Sequence, residues 1–106
     1  MNTQFKLIFT TCKDEPEARA LARALVEKKL AACVNVLPNI GSIYMWEGEI
    51  AEATETKLLI KTKLDKMNDV FLTIKELHSY EVPEIQVVEV STGNLAYFNW
   101  MDEVLN

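Results

Sequence analysis

Two periodicities alternate along the chain and predict its secondary structure. The segment Phe5–Cys12 is rich in apolar and β-branched residues, which predicts a strand. The next segment has apolar residues at i, i+3, i+4, i+7 and i+8, the spacing of an amphipathic helix. These residues are Ala18, Leu21, Ala22, Leu25 and Val26. Asp14 as N-cap, Glu17 three residues later and Pro16 in the first turn form a helix-start signal, so a strand followed by a helix is expected.

The middle of the chain has the pattern of a long hairpin. The first arm has strand character from Ala32 to Trp46, and it is interrupted by Pro38 and Gly41, which predict a bulge or an irregular edge. Glu47-Gly48 is a turn signal. The return arm, Glu49 to Thr62, alternates its side chains between two faces in its second half.

A second helix and a last strand follow the hairpin. Asp65 is the predicted N-cap, and Pro83 ends any helical continuation. The apolar run Ile85–Val90 predicts a central strand, and Gly93-Asn94 starts a short terminal helix. The inward stripe of the second helix is Met67, Val70, Phe71, Ile74, Leu77 and His78, and the terminal helix carries Leu95, Phe98, Met101 and Leu105.

This order of elements predicts an α+β fold, a ferredoxin-like split βαβ sandwich with an extended β-hairpin and a C-terminal helix. A chain of 106 residues fits a single domain, residues 1–106. Two helices should cover one face of the sheet. The other face has only the terminal helix, so its apolar positions predict burial against further copies of the chain.

Charge and composition indicate which partners the protein can bind and in which cellular compartment it is expected. Eleven basic against sixteen acidic residues give a formal charge of −5, which disfavours nucleic acid as a partner. No apolar run approaches membrane-spanning length, and Met1–Lys6 lacks a basic head followed by an apolar segment, so a cytoplasmic protein without membrane insertion is expected. Cys12 and Cys33 form no metal-type doublet and are expected to be free thiols.

The densest group of reactive side chains lies between Leu77 and Ile85. It contains His78, Tyr80 and Glu84, of which His78 is the chain's one imidazole. Imidazole titrates near neutral pH and binds borderline metal ions, so His78 is a candidate metal ligand, or a general base oriented by Tyr80 or Glu84. A histidine in the last turn of a helix can instead donate hydrogen bonds to free carbonyl groups. Both a functional and a structural role of His78 are therefore possible.

Several other residues are candidates for a ligand site. Cys12 ends the first strand, where a thiolate would suit soft metals such as monovalent copper, whereas Cys33 has the surroundings of a small core residue. Aromatic and polar residues that could line a cleft between subunits are Tyr44, Trp46, Glu47, Lys61 and Trp100. The same aromatics are also typical of a subunit interface. Lys61 is expected either to join Tyr80 and Glu84 in an anion or carboxylate pocket, or to pair with an acid across the hairpin.

Four ordered stretches carry a resemblance to a known family. They are Lys29–Pro38 (KLAACVNVLP), Ser42–Gly48 (SIYMWEG), Ile60–Thr62 (IKT) and His78–Glu84 (HSYEVPE), with Gly93-Asn94 and Tyr97–Trp100 added. Together they resemble the CutA family, which is named for divalent-cation tolerance. Each stretch is weak alone, but the set spans almost the whole chain in order and with matching separations. The chain departs from the family pattern at Ser79, where proline is more usual. The strand-one cysteine linked to copper in some members aligns with Thr10 rather than with Cys12.

The resemblance implies a homotrimer whose sheets pack inward, similar to the nitrogen-regulatory PII signalling proteins. It also implies metal tolerance, binding of divalent copper or other divalent cations, and no established catalytic reaction. The expected function is therefore a trimeric divalent-metal-binding protein with His78 and Cys12 as metal contacts and a signalling role like that of PII. The alternatives are a small-molecule-binding trimer, an enzyme that uses His78, and a stable scaffold that engages a membrane partner through its hairpin tip at Glu47–Glu52.

Overall fold

The computed structural model describes residues 3–106, which form a four-stranded sheet and three helices. The predicted order of strands and helices is confirmed, and a short 3-10 turn, Leu64–Lys66, precedes the second helix. The elements are β1 (Phe5–Cys12), α1 (Glu15–Glu27), β2 (Cys33–Trp46), β3 (Glu49–Lys63), α2 (Met67–Leu77), β4 (Gln86–Glu89) and α3 (Leu95–Leu105). Within residues 3–106, no helix has both the length and the apolar character needed to cross a membrane.

The sheet is antiparallel, with strand order β2-β3-β1-β4. This is the order of a split βαβ fold, so the predicted ferredoxin-like architecture is confirmed. The prediction of a central last strand was wrong. β4 is an edge strand of four residues that pairs with β1 alone, because the two central positions are taken by β1 and β3.

The β2-β3 hairpin is one continuous ribbon that extends beyond the helices. Its register shifts between Leu37 and Ile40, where Asn39 has φ of +60°, so the predicted bulge lies at Pro38-Asn39, while Gly41 pairs regularly with Thr54. The turn at Glu47-Gly48 has φ of +48° and +82°, the left-handed pair of a two-residue type I′ hairpin. This turn matches the twist of the strands and sets the register from Trp46 onward.

Helices α1 and α2 cover one face of the sheet and enclose the main core. Ile8, Leu58 and Ile60 from the strands pack there against the apolar stripes of both helices. The predicted cap of α1 is confirmed, since Asp14 Oδ1 accepts a hydrogen bond from Glu17 N at 3.0 Å. The predicted Asp65 cap is wrong: the 3-10 turn occupies that position, and α2 starts at Met67 without a side-chain cap.

The opposite face, called here the open face, is only partly covered. Helix α3 packs on one end of it, where Phe5 stacks on Phe98 with ring centroids 4.4 Å apart and contacts Met101 and Leu105. By strand alternation, the rest of the open face carries apolar side chains that remain partly accessible. They are Leu7, Phe9, Leu59 and Val88.

Candidate functional site

A groove of about 780 Å³ lies on the open face, between the hairpin and the segment that joins α2 to β4. Strand alternation brings Thr11, Lys57 and Glu55 to this face, while the joining segment contributes Tyr80 and Glu84. The remaining lining residues are Ile40, Ser42, Tyr44, Trp46, Ser79, Glu81 and Val82. Of the predicted ligand residues, Tyr44, Trp46, Tyr80 and Glu84 therefore meet in one groove.

Glu84 is fixed at one end of this groove by two partners. Its Oε1 accepts a hydrogen bond from Thr11 Oγ1 at 2.7 Å. The ammonium of Lys57 lies 3.5 Å from Oε1 and 3.4 Å from Oε2, and it is 5.3 Å from the centroid of the Phe9 ring. The fold thus seats an ammonium group between a carboxylate and an aromatic ring.

Glu55 is the second carboxylate of the groove, and its surroundings differ from those of Glu84. Its Oε2 accepts a hydrogen bond from the Tyr80 hydroxyl at 2.7 Å. Desolvation and this hydrogen bond raise the pKa of Tyr80 above its usual value, so the phenol stays protonated and donates. Among residues 3–106, no lysine, arginine or histidine lies within ion-pair distance of Glu55.

His78 is buried behind the groove, and both of its ring nitrogens are engaged. Nε2 lies 2.8 Å from the carbonyl oxygen of Thr11, and Nδ1 lies 3.0 Å from the backbone nitrogen of Tyr80. The Tyr80 N–H can only donate, so Nδ1 accepts and the proton is on Nε2, which donates to Thr11. A metal ion at either nitrogen would have to displace one of these bonds, and ligation by His78 stays a prediction.

A carboxylate from α1 fixes the start of the joining segment. Glu17 Oε1 accepts a hydrogen bond from Ser79 N at 2.6 Å, and Oε2 accepts from Ser79 Oγ at 3.0 Å. The same carboxylate is 3.8 Å from His78 Nδ1, but that nitrogen already accepts from Tyr80 and has no proton to share. Ser79 is thus held by two hydrogen bonds to the Glu17 carboxylate.

Cys12 is fully buried on the helix-covered face, so it does not reach the groove. Burial, reinforced by the carboxylates of Glu17, Asp14 and Glu55, raises the pKa of its thiol from 9.0 to about 12. A protonated, inaccessible thiol is a poor metal ligand. Both Cys12 and Cys33 are free thiols, as predicted.

Lys61 and Trp100 lie apart from the groove, in a second cluster beside α3. Lys61 Nζ is 5.6 Å from the centroid of the Tyr97 ring, which packs against Trp100 at 5.5 Å. The expected pocket of Lys61 with Tyr80 and Glu84 does not form. Lys57 takes that place, because it is four residues earlier on the same face of β3, roughly 13 Å along the strand. The alternative acid partner is also absent among residues 3–106.

Within residues 3–106, the side chains assemble neither a complete metal centre nor the general-base arrangement predicted for His78. Across residues 3–106, no three His, Cys, Asp or Glu side chains are grouped as metal ligands. The proposed general-base arrangement is also not seen, since His78 contacts the backbone of Tyr80, and Glu84 contacts Thr11 and Lys57. The described residues of this chain therefore do not fit a preformed metal site.

Sequence reasoning missed three of the groove's polar residues: Thr11, Glu55 and Lys57. The period of two along β3 places Glu55 and Lys57 on one face, which was a usable signal. The pairing of Thr11 with Lys57 depends on the register of β1 against β3, and no local pattern reveals that register.

Known proteins resemble this chain over nearly its full length. Residues 6–104 match the family model "CutA1 divalent ion tolerance protein". The chain is 42% identical over 98 residues to the divalent-cation tolerance protein CutA of Thermus thermophilus, covering 92% of this chain and 95% of that protein. It is 41% identical over 97 residues to a CutA homolog of Xenopus laevis and 43% identical over 96 residues to human CutA. The chain spans 64% of the frog protein and 54% of the human protein, and the matches cover 92% and 91% of this chain.

Solved structures agree with the sequence matches. CutA from Xylella fastidiosa superposes with a TM-score of 0.95 at 39% identity, covering 98% of this chain and all of that one. The protein described as the periplasmic divalent cation tolerance protein CutA of Archaeoglobus fulgidus superposes with a TM-score of 0.93 at 38% identity, covering 96% of this chain and 99% of that one. The family model, the relatives and the structures converge, and the chain belongs to the CutA1 divalent ion tolerance family.

Proposed function

We propose that this chain acts as a cytoplasmic homotrimer that contributes to divalent-cation tolerance by binding a cation such as divalent copper, without catalysing a reaction. A regulatory role like that of PII would follow if cation binding changes the surface offered to partners. The observation that carries the proposal is the position of the groove on the uncovered face of a CutA-type sheet. Its carboxylates face the side where another subunit would pack.

The exposed apolar surface supports assembly with further copies. On the hairpin, Ile43, Met45 and Ile50 are 71%, 66% and 74% exposed, and Trp46 is 63% exposed. By strand alternation Trp46 lies on the open face, whereas Ile43, Met45 and Ile50 form an exposed apolar patch on the opposite face of the hairpin. A soluble monomer rarely leaves so much contiguous apolar surface in water, so burial between copies would stabilise the protein.

The donor chemistry supports cation contacts that are shared between chains. The carboxylates of Glu55, Glu81 and Glu84 line the groove, but they are not grouped into a three-ligand site. Divalent ions need several donors, so a donor from a second subunit would have to complete the set. His78 and Cys12 stay predicted contacts, and each would have to leave its present buried environment to serve.

A second candidate function is the binding of a small organic ligand. The groove favours it because three aromatic side chains, Tyr44, Trp46 and Tyr80, share its lining with charged groups. Binding sites for small molecules commonly combine apolar walls with a few polar anchors. A scaffold role through Glu47–Glu52 is the remaining alternative, and the exposed apolar residues near that tip are compatible with it.

Sedimentation equilibrium and calorimetric titration with copper and zinc test the first proposal. We expect a trimer at micromolar concentration and saturable copper binding that weakens in Glu84→Gln. His78→Ala and Cys12→Ala test the two predicted ligands, and Glu76→Gln, on the exposed side of α2, is the matched control. A stable monomer, or copper affinity equal in wild type and all variants, would contradict the proposal.

A further inference from the structure

We propose that Glu17 is a positioning residue for the groove, because it holds the start of the segment 79–84, which carries Tyr80 and Glu84. Its effect on a bound cation rests on the function proposed above. Glu17 lies in the first turn of α1 and is not part of the groove lining. Its contacts with the segment are made within one chain, so they do not depend on which surface a further copy covers.

The segment 79–84 is held in place by side chains. Across residues 3–106, no backbone-to-backbone hydrogen bond involves this segment. Such bonds end with His78 N, which donates to Ile74 O at 2.9 Å, and pairing resumes where Gln86 meets Phe9. Backbone groups without backbone partners depend on side chains or water, so a few side-chain contacts set the path of this segment.

The Glu17 carboxylate fixes the first residue of the segment at two points. It accepts from Ser79 N at 2.6 Å and from Ser79 Oγ at 3.0 Å, so both the backbone and the side chain of Ser79 are held. In the part of the chain that the structure describes, these are the hydrogen bonds that join the segment to α1. Hydrogen bonds to an ionised carboxylate are stronger than those between neutral groups.

The next residues show why this contact matters for the groove. Tyr80 N donates to the ring of His78, and the Tyr80 hydroxyl donates to Glu55 inside the groove. At the far end of the segment, Glu84 meets Thr11. A shift of Ser79 away from α1 would therefore move the groove residues that follow it.

Glu17 gives up a different role to make this contact. An acid at the third position of a helix can return its carboxylate to the backbone N–H of the N-cap residue, as in a capping box. Asp14 caps Glu17 N at 3.0 Å, but both oxygens of the Glu17 carboxylate bind Ser79. The side chain thus serves the segment rather than the start of the helix.

The burial of Glu17 gives independent support. Its side chain is 12% exposed, and no lysine or arginine within residues 3–106 lies at ion-pair distance. A buried carboxylate without a cation is costly unless donors replace the water that it loses. Ser79 supplies two donors, and the N-terminal end of α1 favours the negative charge. The ionised side chain and the position of Ser79 are therefore coupled.

Amide hydrogen exchange of the assembled protein tests the positioning role. The Tyr80 N–H is bonded to the buried His78 ring, so its protection reports whether the segment stays in place. We expect Glu17→Gln and Ser79→Ala each to speed exchange at Tyr80 by about tenfold, the loss of one strong hydrogen bond. Exchange in the core strands β1 and β3 should stay within about twofold of wild type, because the opening is local.

The matched control for exchange is Glu15→Gln. It makes the same charge change in the same turn of α1, but Glu15 pairs with Arg19 and not with the segment. We expect Tyr80 exchange in this control within about twofold of wild type. Unchanged exchange at Tyr80 in Glu17→Gln and Ser79→Ala, or equal acceleration throughout β1 and β3, would overturn the positioning role.

Copper titration by isothermal calorimetry measures the consequence for the groove. Ser79→Ala keeps the charge of Glu17, so it separates positioning from the attraction of a cation to that charge. We expect copper affinity about threefold weaker in Ser79→Ala and within about twofold of wild type in Ser79→Thr, which keeps the hydroxyl. Equal copper affinity in wild type and Ser79→Ala would overturn the link to binding. Absence of copper binding in wild type would remove the function proposed above, and the exchange comparison would still decide whether Glu17 positions the segment.

Discussion

Replacing His78 by alanine tests whether the one histidine of the chain has a structural role. The ring is buried and makes two hydrogen bonds, Nε2 to the Thr11 carbonyl and Nδ1 from the Tyr80 N–H. It also packs against the Tyr80 ring with centroids 4.9 Å apart. The substitution leaves a buried carbonyl oxygen and a backbone N–H without these partners, and it opens a cavity beside them.

The size of the effect follows from these contacts. A net hydrogen bond contributes roughly 1 kcal/mol, and an orphaned buried polar group costs about 1–3 kcal/mol. Adding the loss of ring packing, we expect His78→Ala to lower the free energy of unfolding by about 3 kcal/mol. Urea denaturation of wild type and variant at one protein concentration measures this difference, since assembly would make stability depend on concentration.

The control for His78→Ala is Leu77→Ala, one residue earlier at the end of the same helix. Leu77 is 45% exposed, so its truncation should lower the free energy of unfolding by about 1 kcal/mol or less. If His78→Ala changed stability by less than about 0.5 kcal/mol while copper affinity fell tenfold, the structural interpretation would be refuted and metal ligation supported.

Three further predictions concern a helix cap, a buried cation and a buried thiol. Asp14→Ala removes the N-cap acceptor of α1 and should cost about 1 kcal/mol by urea denaturation, with Asp14→Asn closer to wild type; equal losses would argue against the capping role. Lys63→Met removes the ammonium that bonds Asp102 at 3.2 Å and Asn106 at 3.0 Å, so amide exchange in α3 should accelerate while β3 stays protected; unchanged exchange in α3 would contradict this. The pKa of the Cys12 thiol is raised to about 12 in the folded chain, so the folded chain keeps a proton that the unfolded chain loses near pH 9. The protonated thiol therefore makes its full contribution to the free energy of unfolding below pH 9, and this contribution falls as the pH rises toward 12. From pH 9 to pH 10 the stability advantage of wild type over Cys12→Ala should shrink by about 1 kcal/mol, and a constant difference would rule out a raised pKa.

Local patterns in the chain were sufficient to predict the strands and helices and their order. The apolar spacing of α1, its Asp14 cap and the Glu47-Gly48 turn depend on neighbours within a few residues, and all three are present in the structure. The uncovered face also followed from the order of elements, because both crossover helices of a split βαβ fold lie on the same side of the sheet. The prediction of Asp65 as N-cap was wrong because Leu64–Lys66 adopts a tighter 3-10 turn before α2 begins.

Local sequence patterns could not predict which residues line the groove, because the lining depends on contacts between strands that are far apart in the chain. Lys57 and Lys61 share one face of β3, and both are reasonable partners for Glu84 from sequence alone. The register of β1 against β3 puts Lys57 opposite Thr11, so Lys57 reaches Glu84 while Lys61 lies by Tyr97.

The amino-acid sequence by itself determined the order of the strands and helices and, for α1, which side of the helix packs inward, since both follow from repeats of two and 3.6 residues. Tertiary structure alone decided that the last strand lies at an edge and that both nitrogens of His78 are occupied. It also decided that Glu55 has no cationic partner among residues 3–106. The physical reason is that hydrogen-bond partners and charges are assigned by strand register and loop path, which bring together residues far apart in the chain.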